Sequence, residues 1–63
     1  MFIQVTSKAI NKKVCIQLAH IEYVEPDGNG SIIIFAGVDR CIEVKETYEW
    51  VISLLPVLVP GAK

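Results

Sequence analysis

The stretch from Ser31 to Phe35 constrains the fold most strongly, because it predicts a β-strand that is apolar on both sides. Alternate residues of a strand point to opposite faces of a sheet. Ile32 and Ile34 therefore face one way, whereas Ile33 and Phe35 face the other. A hairpin lying alone on a surface would leave one of these faces in water. The sequence thus predicts that each face is covered by another element or by another chain.

The chain has a high fraction of hydrophobic residues for its short length. It has 63 residues, of which 52% are hydrophobic. A single domain of this size buries only about 60% of the surface that its unfolded chain exposes. Small domains commonly gain stability from disulfides, a metal or a partner subunit, and an apolar surplus favours the partner. We therefore expect a homo-oligomer.

Alternation of apolar and polar side chains recurs through the first 44 residues and is typical of half-buried antiparallel strands. It is clearest where Val14, Ile16 and Leu18 alternate with polar or small residues. Val24 breaks the alternation, which predicts a β-bulge or a helical turn at the start of its strand. Asn11 and the run Pro26–Gly30 favour turns, because Asn and Gly tolerate positive φ. The predicted strands are residues 2–6, 13–18, 21–25, 31–35 and 41–44.

After residue 44 the apolar period changes to that of a helix. Thr47 is placed to cap the amino end, and Pro56 stops the helix. Its apolar residues fall on two faces, one with Tyr48, Val51, Ile52 and Leu55, and the other with Trp50 and Leu54. The predicted fold class is α+β and mostly β, with about five antiparallel strands in a meander or small barrel and one C-terminal helix.

Residues 1–55 are expected to form one domain, followed by an apolar tail with two prolines at residues 56–63. The longest apolar region, residues 50–62, is interrupted by both prolines and is shorter than the roughly 20 residues that a membrane span needs. Six apolar residues are the candidates for contact with a second subunit or another protein partner: Ile33, Phe35, Trp50, Leu54, Val57 and Leu58.

Residues capable of catalysis or metal binding are few. Cys15, Cys41 and a single histidine, His20, lack the paired spacing of a zinc site, although the two cysteines could meet in space. Cys–His catalysis also requires an oxyanion site and a substrate pocket, for which so small a chain has little room. We predict no enzyme activity, no cofactor and no metal. The start of the chain lacks a signal-peptide pattern, so we expect free thiols in the cytoplasm.

The charge balance does not favour nucleic acid as a partner. Six basic and seven acidic side chains give a net charge of −1, whereas proteins that bind DNA or RNA usually show a basic excess. A local patch is the alternative that remains open. Its candidate contacts are Lys8, Lys12, Lys13 and Arg40.

Three segments resemble a family of small bacterial flagellar and swarming motility proteins: residues 20–26 (His-Ile-Glu-Tyr-Val-Glu-Pro), residues 31–35, and residues 42–52. The Val44-Lys45-Glu46-Thr47 junction carries most of the likeness. The opening turn and residues 56–63 depart from the pattern. The resemblance implies a small bacterial accessory protein. Together with the apolar surplus, it leads us to expect a binding or adaptor protein, for which motility is one candidate process. The third-strand and hairpin layout is also similar to part of the LytTR DNA-binding domain, which makes a transcriptional regulator the alternative.

Overall fold

The computed structural model describes residues 1–55, which form five antiparallel strands in one open sheet and one short C-terminal helix. The predicted α+β, mostly β fold class is confirmed. Val57 and Leu58, two of the candidate contact residues, and the predicted tail lie outside the described residues. The elements are β1 (Phe2–Ser7), β2 (Lys12–Gln17), a 3₁₀ turn (Leu18–His20), β3 (Ile21–Asp27), β4 (Gly30–Phe35), β5 (Cys41–Val44) and α1 (Tyr48–Leu54).

The order of the strands across the sheet, β2-β1-β5-β4-β3, differs from that of a simple meander because β1 pairs with β5. β2 and β3 thus lie at opposite edges although they are consecutive in the chain. Four strand spacings in a flat sheet would separate them by about 19 Å. The connection from Gln17 to Ile21 spans at most about 14 Å. The sheet must therefore curve, and its concave side encloses the core.

The turns form where the sequence predicts them. Asn11 has a positive φ of 55° in the β1–β2 connection. Gly28 has a φ of 59° at the first of two residues that join β3 to β4, a position for which glycine is favoured in hairpins. The expected irregularity before Val24 is also present, since the register of β3 against β4 shifts between Ile21 and Tyr23.

The core lies between the concave side of the sheet and α1. Its buried hydrophobic residues are Ile3, Val5, Ile16, Ile33, Val44 and Val51. β4 contributes Ile33, which has no exposed surface, and Phe35, which is half-buried and packs against this core. The prediction that Ile33 contacts a second subunit is wrong, because its side chain is already enclosed by its own chain.

Thr47 caps the start of α1, as predicted. Its side-chain Oγ1 accepts a hydrogen bond from the Trp50 backbone N–H at 3.1 Å. Val51 is fully buried, and Tyr48 and Leu55 are half-buried on the same side of the helix. Ile52 was expected to share this buried side but is 37% exposed. It lies 100° around the helix from Val51, and a helix of seven residues touches the sheet along one narrow stripe.

The carbonyl oxygen of Val44 approaches the Cα of Gly30 so closely that a Cβ there would lie 2.3 Å away from it. We expect Gly30→Ala to lower the free energy of unfolding by about 2 kcal/mol, because two backbone segments would have to separate. Chemical denaturation measures this change.

The matched control is Gly28→Asn. Gly28 has a positive φ but no atom within 4 Å of a built Cβ, and Asn tolerates this conformation. Equal losses of stability in the two variants would contradict the importance of the close approach.

Candidate binding surface

Trp50 and Leu54 lie one turn apart on α1, 42% and 36% exposed respectively, and we call them the Trp50–Leu54 pair. Residues four apart on a helix are neighbours on its surface. The pair therefore forms a continuous apolar patch on one flank of α1, while Ile52 is exposed on the opposite flank. Both residues were candidates for contact on the sequence alone, and their exposure leaves them available to a partner.

The position of this patch depends on Glu46, which precedes the helix. The Thr6 backbone N–H donates to Oε1 of Glu46 at 2.8 Å, and the Thr6 hydroxyl donates to Oε2 at 2.9 Å. The hydroxyl of the fully buried Ser31 donates to the Glu46 carbonyl oxygen at 2.8 Å. The segment that leads into α1 is thus attached to β1 and to β4, so the helix starts from a fixed point.

These contacts also act on the ionisation of Glu46. Burial alone would raise the pKa of this carboxyl group. The two hydrogen bonds from Thr6, a hydrogen bond from the Glu46 backbone and the positive charge of Lys13 outweigh that effect and lower the pKa below its usual value of 4.5. The carboxylate form is therefore the one that the fold stabilises.

The convex face of the sheet carries a second apolar surface. The strand registers align Tyr23 on β3, Ile34 on β4 and Cys41 on β5, with Ile32 next along β4. Tyr23 and Cys41 are exposed, and the two isoleucines are half-buried. The sequence could not identify this surface, because β4 is apolar on both faces. Ser31 lies on the same face of β4 as Ile33, and both are fully buried, whereas Ile32 faces outward.

The predicted basic residues do not form one patch. Lys8, Lys12 and Lys13 lie at the β1–β2 hairpin, whereas Arg40 lies in the loop between β4 and β5. Lys8 forms an ion pair with Asp27 at 3.5 Å, and the charge of Lys13 acts on Glu46. Acidic neighbours reduce the positive potential that a nucleic acid would meet.

The candidate residues for catalysis or metal binding are also separated. Cys15 is on β2 and Cys41 on β5, with β1 between these strands, and both thiols are free and exposed. Residues 1–55 contain no group of three His, Cys, Asp or Glu side chains that could hold a metal ion. His20 lies in the 3₁₀ turn. There it lines a depression of about 380 Å³ together with Phe35, Ala36, Val38 and Arg40. Neither cysteine lines this depression.

Comparisons with protein-family models, with curated proteins and with solved structures found no match. The resemblance of the sequence motifs to motility proteins therefore stays a prediction. Within the 55 residues described, no helix is long and apolar enough to cross a membrane.

We expect Glu46→Gln to lower the free energy of unfolding at pH 7 by about 1–2 kcal/mol, because an amide presents one acceptor where the carboxylate presents two. The folded state lowers the pKa of Glu46. The carboxylate therefore contributes fully to the free energy of unfolding above pH 4.5, and this contribution is lost as the pH falls through the pKa of the folded state. The stabilities of wild type and variant should converge in acid. Urea denaturation between pH 7 and pH 3 measures both effects.

Glu25→Gln is the matched control, because Glu25 is an exposed glutamate on β3. Its effect on stability should be small throughout this range. A stability difference between Glu46→Gln and wild type that stays constant as the pH falls would contradict the role of the carboxylate.

Proposed function

We propose that the chain is a small, non-enzymatic bacterial binding or adaptor protein that acts as a homo-oligomer in the cytoplasm. The observation that carries the proposal is the Trp50–Leu54 pair, two large apolar side chains exposed together on a helix whose start is fixed. Free thiols at Cys15 and Cys41 suit a reducing compartment.

A preformed aromatic anchor is well suited to binding. Tryptophan is enriched among the residues that dominate interface energies, particularly where neighbouring apolar groups exclude water. Leu54 supplies such a neighbour beside Trp50. The Thr47 cap and the attachment of Glu46 to β1 order the helix before a partner arrives, which reduces the entropy lost on binding. The convex surface around Tyr23 and Ile34 adds apolar area for a further contact.

Nucleic acid is less well supported as a partner. Lys8 and Lys13 already lie beside acidic groups, and Arg40 belongs to a different loop. No contact among residues 1–55 favours a regulator of the LytTR type over a protein-binding role.

The wild-type chain should sediment as an oligomer at micromolar concentration, and Trp50→Ser should weaken its self-association by about 30-fold, since losing a buried aromatic anchor typically costs about 2 kcal/mol. Sedimentation velocity over a range of concentrations measures both. Val38→Ser is the matched control, because Val38 is 53% exposed and belongs to the β4–β5 loop, not to the helix. A wild-type chain that stays monomeric would refute the homo-oligomer.

The motif resemblance supports a role in motility, which can be tested separately. Deletion of the gene in the bacterium that encodes it should reduce swarming on soft agar without slowing growth in liquid medium. The wild-type gene should restore swarming, whereas the Trp50→Ser variant should not. Unchanged swarming after the deletion would argue for a binding role in another process.

A further inference from the structure

We infer that two copies of this chain join through the free edge of β2. The two β2 strands pair antiparallel about a two-fold axis at Cys15, so that the sheet continues from one molecule into the other. The inference rests on the proposed homo-oligomer and adds to it a second contact, separate from the Trp50–Leu54 pair. It follows from the backbone groups that β2 leaves unpaired, from the contrast with the other edge strand, and from the match of the β2 side chains with a second β2.

The hydrogen bonds of β1 determine which backbone groups of β2 point away from the sheet. Lys45 N–H donates to Thr6 O at 2.9 Å, and Lys8 N–H donates to Glu43 O at 2.9 Å. The backbone N–H and C=O groups of even-numbered residues in and beside β1 are therefore directed toward β5. The backbone groups of the odd-numbered residues are directed toward β2, in agreement with the bond from Leu18 N–H to Met1 O at 2.9 Å. In the β1–β2 register these odd-numbered residues pair with the even-numbered residues of β2. The N–H and C=O groups that face outward are those of Lys13, Cys15 and Gln17.

The two edges of the sheet differ in how well they could accept another strand. β3 contains Pro26, which has no N–H to donate, and a register shift beside Glu22. Proline, irregular register and charged side chains are devices that block pairing at a sheet edge. β2 carries Lys12 and Lys13 at its start, but its six residues keep an unbroken register with β1 and include no proline. The open edge is therefore that of β2.

The chemistry of β2 favours a second copy of itself. When Cys15 pairs with Cys15 of the second copy, Lys13 faces Gln17 and Gln17 faces Lys13. All three outward-facing residues on each strand then pair, giving six backbone hydrogen bonds. A two-fold axis at Lys13 would instead place Lys13 opposite Lys13, where like charges repel.

The same register covers apolar surface on the concave side. Val14 is half-buried in the single chain, and the register places it opposite Ile16 of the second copy. On the convex side the cross-strand pairs are polar or small. The joined strands are thus apolar toward the core and polar toward water, which is the pattern of a half-buried antiparallel pair.

A charge-reversal pair tests the register. Gln17→Glu should place a carboxylate opposite Lys13 twice in each dimer and tighten the dissociation constant about 3- to 10-fold at low salt. Gln17→Lys should place two like charges together and weaken it by a similar factor. Both effects should shrink in high salt. Because Gln17 Oε1 accepts a hydrogen bond from the Met1 ammonium group at 3.1 Å, both variants also change a contact within the chain. Urea denaturation of each variant under dissociating conditions shows whether the fold itself is unchanged.

Thiol cross-linking tests the two-fold position. Opposed residues in a hydrogen-bonded antiparallel pair lie about 5.5 Å apart between Cα atoms, within the range that a disulfide spans. Mild oxidation of the full chain should yield a covalent dimer. Cys41→Ser should leave the yield unchanged, whereas Cys15→Ser should abolish the cross-link, although both thiols are exposed.

The outcomes separate this inference from the proposed function. Oligomers that respond to Trp50→Ser but not to either Gln17 variant, with cross-links through Cys41 instead of Cys15, would overturn the β2 contact and leave the homo-oligomer in place. A monomer in sedimentation would refute both. Opposite responses to Gln17→Glu and Gln17→Lys, together with cross-linking through Cys15, would establish the β2 pair.

Discussion

The hydrogen bonds between Thr6 and Glu46 hold together the two halves of the sheet, the β1–β2 hairpin and the β3–β4–β5 unit. Across the described residues, β1 and β5 share the single register pair Ser7 and Val44, with one backbone hydrogen bond on either side of it. We call this narrow contact between β1 and β5 the seam. The carboxylate of Glu46 adds two charge-assisted hydrogen bonds to it. The seam and the core that both halves share together fix how the halves lie against each other.

Much of the fold was predictable from the sequence because it is local. The five strands and the helix appear within two residues of their predicted bounds, and the largest difference is in the third strand, which continues past Pro26 to Asp27. Alternation and turn residues act over a few positions, and Pro26 is tolerated because β3 is an edge strand. The order of strands was not predictable, since the pairing of β1 with β5 depends on residues about 40 positions apart.

The candidate surface was predicted in part, and the failure at Ile33 has a definite cause. A strand that is apolar on both faces contains no internal sign of which face is buried. In the structure Ile33 packs with residues of other elements, and Ser31 on the same face donates its hydroxyl to the Glu46 carbonyl oxygen. The exposure of Trp50 and Leu54 was predictable, because a short helix can bury only one stripe, which Val51 occupies. Their contact with a partner stays a prediction. The free edge of β2 could not be recognised before the strand order was known.

The position of Glu46 near the end of the described chain has a consequence for how the protein is made. β1 and β2 can form their hairpin once the first 17 residues have left the ribosome, because their contacts are local. The seam has to wait until Glu46, which lies 29 residues after Gln17, has also left the ribosome. Throughout that interval the apolar side of the first hairpin has no permanent cover. Rapid closure of the sheet after β5 emerges would shorten the time for which this apolar side is exposed to water.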